Sequence, residues 1–140
     1  MSAKLAQAIA ARNEAGAAYL PGHLGRRIAK VGPQEVVASL DGGRAFEACN
    51  GYLRAGGVLA LADSPGGYGT LRSRPGGTTG STSIESNFFG AAREEEVVFL
   101  ARPRPHGRTT QGLHASVARQ GEEEPSTRFR NPQPILWPAS

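Results

Sequence analysis

Cysteine is nearly absent from this chain, and aromatic residues are scarce with it. The one cysteine, Cys49, excludes an internal disulfide framework and fits a reducing compartment. Without a His/Asn constellation around it in the sequence, it reads as a small packing residue rather than a catalytic thiol. Aromatics make up only 6% of 140 positions, so a core built from these side chains is modest, and association of copies would add to it. No apolar run approaches the ~20 residues that span a bilayer, and the N-terminus lacks the apolar stretch of a signal peptide. The expectation is a cytoplasmic protein with no membrane role. His23, His106 and His114 lack metal-ligand spacing. The triple-Glu runs at 94–96 and 122–124 read as solvated turn edges, so no metal is expected.

What the chain does have is glycine and positive charge. Sixteen Lys+Arg against 12 Asp+Glu leave +4, a balance suited to a polyanionic ligand. Basic residues are spread out, few aromatics interleave with them, and no nucleic-acid motif appears. Nucleic-acid binding therefore rests on charge alone and is not expected.

Glycine and proline punctuate the chain into elements. Residues 4–20 are Ala-rich and predict an N-terminal helix that Pro21-Gly22 ends. Two β-like runs, 24–31 and 34–40, flank Gly32-Pro33, and a loop follows over 41–50. A central helix is expected from Gly56 to about Leu71, then a glycine-rich loop over 73–80. Strands are expected at 81–89, 96–102, 109–119 and 126–136. One domain over 1–140 follows, with a helix to residue 20 and a core over 21–137. The plan is α+β, helices on one face of an antiparallel sheet of five to six strands.

The stretch that carries chemistry runs from Asn50 to Asp63. Gly56 and Gly57 allow close approach of backbone to a ligand. The free N–H groups of a helix start suit an anion or a polarised carbonyl oxygen. Asp63 follows about two turns later among Leu59, Ala60, Leu61 and Ala62. It reads either as a functional acid or as the cap of a turn at Ser64-Pro65. Pro65 inside a helix costs ~3 kcal/mol or more, so the helix is expected to bend or break just after Asp63.

In sequence, Asn50-Gly51-Tyr52-Leu53-Arg54-Ala55-Gly56-Gly57, then Leu61-Ala62-Asp63-Ser64, resembles the helix-start signature of hotdog-fold acyl-CoA thioesterases of the phenylacetate-degradation (PaaI-like) branch. Similarity continues through 81–92, 97–102 and 106–110, so it covers roughly 20–119. It implies a hotdog fold, with a long central helix wrapped by a curved sheet. It also implies hydrolysis of an aryl- or short- to medium-chain acyl-CoA, with coenzyme A as part of the substrate and no separate cofactor. Asp63 would act as general base or nucleophile, and the N–H groups of Ala55, Gly56 and Gly57 as oxyanion hole. Asn50 would orient water or the carbonyl, or else simply form a turn. Ser81 would approach from a partner subunit, because sites in this family lie at a dimer interface and dimers pair into tetramers. Arg93, Arg102, Arg104 and Arg108 would meet the coenzyme A phosphates.

Two departures matter. Arg54 stands where the family usually has the His of His-Gly-Gly, and Ala55 where Gly is usual. A guanidinium stays protonated and cannot act as a neutral base. It would instead hold a phosphate or pair with Asp63. The alternative reading is a hotdog domain that binds acyl-CoA or a related ligand without hydrolysing it.

Overall fold

The computed structural model describes residues 2–32, 34–73, 76–80, 83–105 and 107–139. Helix α1 (Ala3–Gly16) begins at Ser2, whose hydroxyl accepts from the Leu5 N–H at 3.3 Å. That bond satisfies one donor left open by the first turn. The expected helix to residue 20 is corrected: α1 stops at Gly16, and Pro21 lies in the first turn of a second short helix, α2 (Leu20–His23). Proline suits that position because its fixed φ is helical and its missing N–H had no intrahelical partner there.

All strand pairings are antiparallel. The main path runs β1 (Arg27–Val31), β2 (Val36–Leu40), β5 (Val97–Pro105), β6 (Thr110–Arg119), β7 (Thr127–Arg130), β4 (Glu85–Phe88). Beside the start of β6 lies β8 (Gln133–Leu136), which also pairs with β3 (Thr78–Thr79). Among the described residues the sheet has eight strands, where five to six were expected. The run 126–136 is divided at Asn131-Pro132, where proline offers no ladder N–H. The tiny β3 arises in what reads as a glycine-rich loop. At the outer edge of β1, Asn13 of α1 donates to the Ile28 carbonyl at 3.2 Å and accepts its N–H at 2.9 Å. A side-chain amide there covers the edge as another strand would.

Helix α3 (Ala55–Ser73) lies against β2, β5 and β6. Val58, Leu61, Ala62, Pro65 and Gly66 are buried, a stripe at helical spacing. Here the expected break after Asp63 is corrected, because α3 runs through Pro65 without interruption. The Pro65 ring is fully buried, and its packing offsets the lost hydrogen bond. Gly66 helps, since a Cβ there would come within 2.7 Å of Leu113 Cδ2. Glycine lets the helix settle onto β6.

Period-two alternation sorts the sheet residues. Phe99, Ala101, Leu113, Ala115, Val117, Thr127 and Phe129 are buried on the α3 side. Arg102, Arg104, His114, Arg128 and Arg130 occupy the opposite face and are exposed. Among the described residues, no helix is long and apolar enough to cross a membrane.

Gly42 fixes the loop before β5. A Cβ there would sit 2.6 Å from the Glu95 carbonyl oxygen and 2.8 Å from that of Arg93. Backbone cannot rotate away as a side chain can. Gly42→Ala is expected to destabilise the fold by about 1–3 kcal/mol, the usual range for overpacking. An unchanged urea midpoint would show that the loop moves aside freely.

Candidate functional site at the start of the long helix

The chain enters α3 through a tightly bonded turn. Leu53 N–H donates to Ala92 O and Arg54 N–H to Phe46 O, each at 2.8 Å. Asn50 accepts the Tyr52 N–H at its side-chain oxygen at 3.3 Å, an Asx-type turn, and Gly51 takes φ +78°. Asn50 is exposed, and in this protomer its amide oxygen serves the turn. That accounts for the turn-forming role read from sequence; orienting a carbonyl oxygen would call on the Nδ2 donors, which the turn does not use.

Within the first turn of α3, Gly57 and Val58 bond back to the Arg54 carbonyl at 2.9 and 3.3 Å. The Gly57 N–H is therefore engaged. Ala55 and Gly56 are exposed and hold the leading N–H groups, which a helix cannot satisfy internally. Of the three donors read from sequence, these two are aimed outward.

Beside them lies a cavity of about 200 Å³. Leu53, Ala55 and Val58 line it from the helix side, and Phe88, Ala91 and Val97 from the strands and loop opposite. Its wall is mostly apolar, and its helical rim is the open turn. Phe88, Ala91 and Ala92 are site residues missed by sequence reasoning. For Ala91 and Ala92 the signal was slight, small residues after Gly90 in a segment that reads as a turn, while Phe88 falls in the expected strand over 81–89.

Asp63 is exposed on the flank of α3, away from the buried stripe. It lies seven to eight residues beyond the outward N–H groups, roughly 10–12 Å of helical rise. Those groups point out of the helix start, away from Asp63, so an oxygen held by them is farther still. Arg54 and Asp63, nine residues apart, leave the helix on opposite sides. Within one protomer, then, the Arg54–Asp63 pair considered from sequence is not brought together.

The arginines divide in the same way. Arg93 reaches the turn before α3, its guanidinium 4.1 Å from the centre of the Tyr52 ring. The Arg93 backbone N–H donates to the Glu95 carboxylate at 2.6 Å, which holds that acid below the usual carboxylate range. Arg102 and Arg104 stand on the sheet face opposite α3, toward the far end of β5. Arg108 lies in the β5–β6 turn, where its carbonyl accepts the Trp137 indole N–H at 2.9 Å. Ser81 lies outside the described residues. Among the described residues, no three His, Cys, Asp or Glu side chains converge as a metal site would require.

Solved structures share this arrangement of helix and strands. A thioesterase of Haemophilus influenzae matches with a TM-score of 0.85 at 21% identity, over 91% of this chain and 90% of its own. The PaaI protein of Escherichia coli, from the phenylacetic acid degradation operon, matches at 0.77 and 15% identity, over 95% and 91%. A hypothetical thioesterase of Streptococcus pneumoniae, solved with coenzyme A, matches at 0.73 and 16%, over 82% and 88%. No protein-family model matches the sequence, and no curated protein does. At these identities the likeness is one of fold, and the fold expected from the resemblance is the one found: this chain has the hotdog fold of the thioesterases.

Proposed function

We propose that the protein hydrolyses acyl-CoA thioesters, releasing a free acid and coenzyme A. The observation that carries this reading is the apolar cavity lined by Ala55 at the open first turn of α3, next to the exposed Gly56. An aryl or short acyl group would enter the cavity while its carbonyl oxygen meets the N–H groups. Developing negative charge on that oxygen is worth ~3–4 kcal/mol per well-placed donor. Asp63 would supply the other half of the reaction. As general base it takes a proton from water, which attacks the carbonyl carbon, and the sulfur leaves as the coenzyme A thiolate to be protonated. As nucleophile it forms a mixed anhydride that water then cleaves.

The separation along α3 supports a site shared between two protomers. A reacting carbonyl needs its attacking atom about 3–3.5 Å away, so one protomer cannot offer both Asp63 and its own helix start to the same carbon. A two-fold partner supplies the missing half, each acid facing the other's helix start. The outer side of β4, which carries the exposed Phe88, is the surface proposed for that pairing. Dimers are proposed to pair further into tetramers. Arg93, at the mouth of the turn, is the proposed contact for a coenzyme A phosphate. A coenzyme A-containing hotdog neighbour supports a ligand of that class.

The second reading, acyl-CoA binding without hydrolysis, is favoured by Arg54. Free-thiol release from a panel of aryl- and short- to medium-chain acyl-CoAs separates the two. Turnover by the wild type is expected, slow beside Arg54→His, in which a neutral imidazole restores the usual geometry. Binding of acyl-CoA with no thiol released would establish the second reading. Equal turnover in wild type, Arg54→His and Arg54→Ala would make Arg54 a solvated residue with no part in either.

A further inference from the structure

The outer face of the sheet, turned away from α3, concentrates positive charge. Arg102 on β5 stands opposite His114 on β6, which stands opposite Arg130 on β7. Arg104 lies one outer-face step beyond this row, level with Gly112, and Arg128 one step before it, level with Ser116. Two acids stand near them: Glu35 reaches Arg102 at 3.9 Å while also paired with Lys30, and Glu85 on β4 stands opposite Arg130 at the end of the row. Among the described residues, no carboxylate lies within ion-pair distance of Arg104, Arg128 or Arg130.

This face is also grooved. One depression of about 250 Å³ is lined by Arg102, Arg104, His114 and Arg128. A second, of about 350 Å³, shares His114 and Arg128 with it and continues to Arg130 and Phe89. Phe89 is 67% exposed.

We infer that this groove binds a ligand carrying a chain of two or more phosphates. Strand spacing and rise spread the four arginines and His114 over roughly 10 by 13 Å. A single phosphate reaches only adjacent side chains, whereas a phosphate chain engages the row and both flanking arginines at once. Arginine's planar fork suits phosphate oxygens, and a bound polyanion offsets the charge of the arginines that have no carboxylate partner. The groove lies on the other side of the sheet from Asp63 and the helix start, so this site is separate from the proposed thioester site and does not rest on it. Inorganic polyphosphate and a nucleoside polyphosphate offer the same chemistry, and Phe89 distinguishes them, because only the nucleotide has a base to stack.

Calorimetric titration of the intact protein with tripolyphosphate, orthophosphate and a nucleoside triphosphate tests this. Tripolyphosphate is expected to bind at least ~10-fold more tightly than orthophosphate, as loss or gain of a charged hydrogen bond would do. Arg128→Gln with Arg130→Gln is expected to weaken it by a similar factor, with a thermal midpoint no lower than wild type. Tighter binding of the nucleotide, lost in Phe89→Ala, assigns the source to a nucleotide. Equal binding assigns it to the phosphate chain alone, and either result supports the site. Tripolyphosphate no tighter than orthophosphate, or unaffected by the double substitution in a folded protein, overturns it. Single-stranded DNA outcompeting tripolyphosphate overturns it in favour of nucleic acid. Displacement of tripolyphosphate by an equal concentration of coenzyme A assigns the groove to the substrate and overturns a separate site.

Discussion

Asp63→Asn is expected to lower thiol release from acyl-CoA by at least ~10²-fold, the low end for a positioned acid–base group. The amide keeps the outline of the carboxylate but can neither accept a proton at neutral pH nor attack a carbonyl. Asp63 is exposed on the flank of α3, so the substitution should leave the fold intact. Thermal melting of the variant, compared with wild type, checks that the loss is chemical. A folded variant that retains most of its turnover would remove Asp63 from the mechanism, whether as base or as nucleophile.

Mixing two inactive variants is expected to restore activity. Ala55→Pro removes one outward N–H at the helix start, where proline is well tolerated. Loss of one such donor should cost about 10²–10³ in turnover. Asp63→Asn removes the acid. In a two-fold dimer containing one of each, one site loses both groups and the other keeps both. Random pairing makes about half the dimers mixed, so about one quarter of wild-type activity should return. Dissociation and reassociation before the assay allow the exchange, and size-exclusion chromatography with light scattering monitors it. A mixture that pairs but is no more active than its components would place the whole site within one protomer. A stable monomer in wild type would remove the shared site altogether.

Much of the fold is legible locally. The central helix reads as 56 to about 71 and is found at 55–73, because a glycine-rich turn, an apolar stretch and a second glycine loop mark it by composition. The strand at 110–119 reads nearly as well, bounded by a turn and by Gln120-Gly121. Pro65 misleads for a reason visible only in three dimensions. Local rules assign the proline its cost, but the burial that offsets it comes from strands distant in sequence. The division of β7 from β8 is similar, since Pro132 matters only because its neighbours lie beside β6.

At the site, the turn chemistry of 50–57 was open to reading from the sequence, including outward N–H groups at a helix start. The residues that close the cavity were not. Phe88 and Ala91 reach it only because β4 and the loop before β5 return past the start of α3. The cationic groove has the same character. Arg102 and Arg104, spaced by two, and Arg128 and Arg130, spaced by two, announce that each pair shares a face of its own strand. By itself, then, the sequence determined the central helix and most of the strands, the small hydrophobic content of the core and which residues share a side of each element, while the short α2 and β3 went unread. Tertiary structure decided which side meets α3, and so placed Arg102 and Arg104 away from Asp63, and Ala55 beside Phe88. The physical reason is that periodicity orients a side chain only relative to its own backbone, whereas the face that turns inward is chosen by apolar packing among residues far apart in the chain.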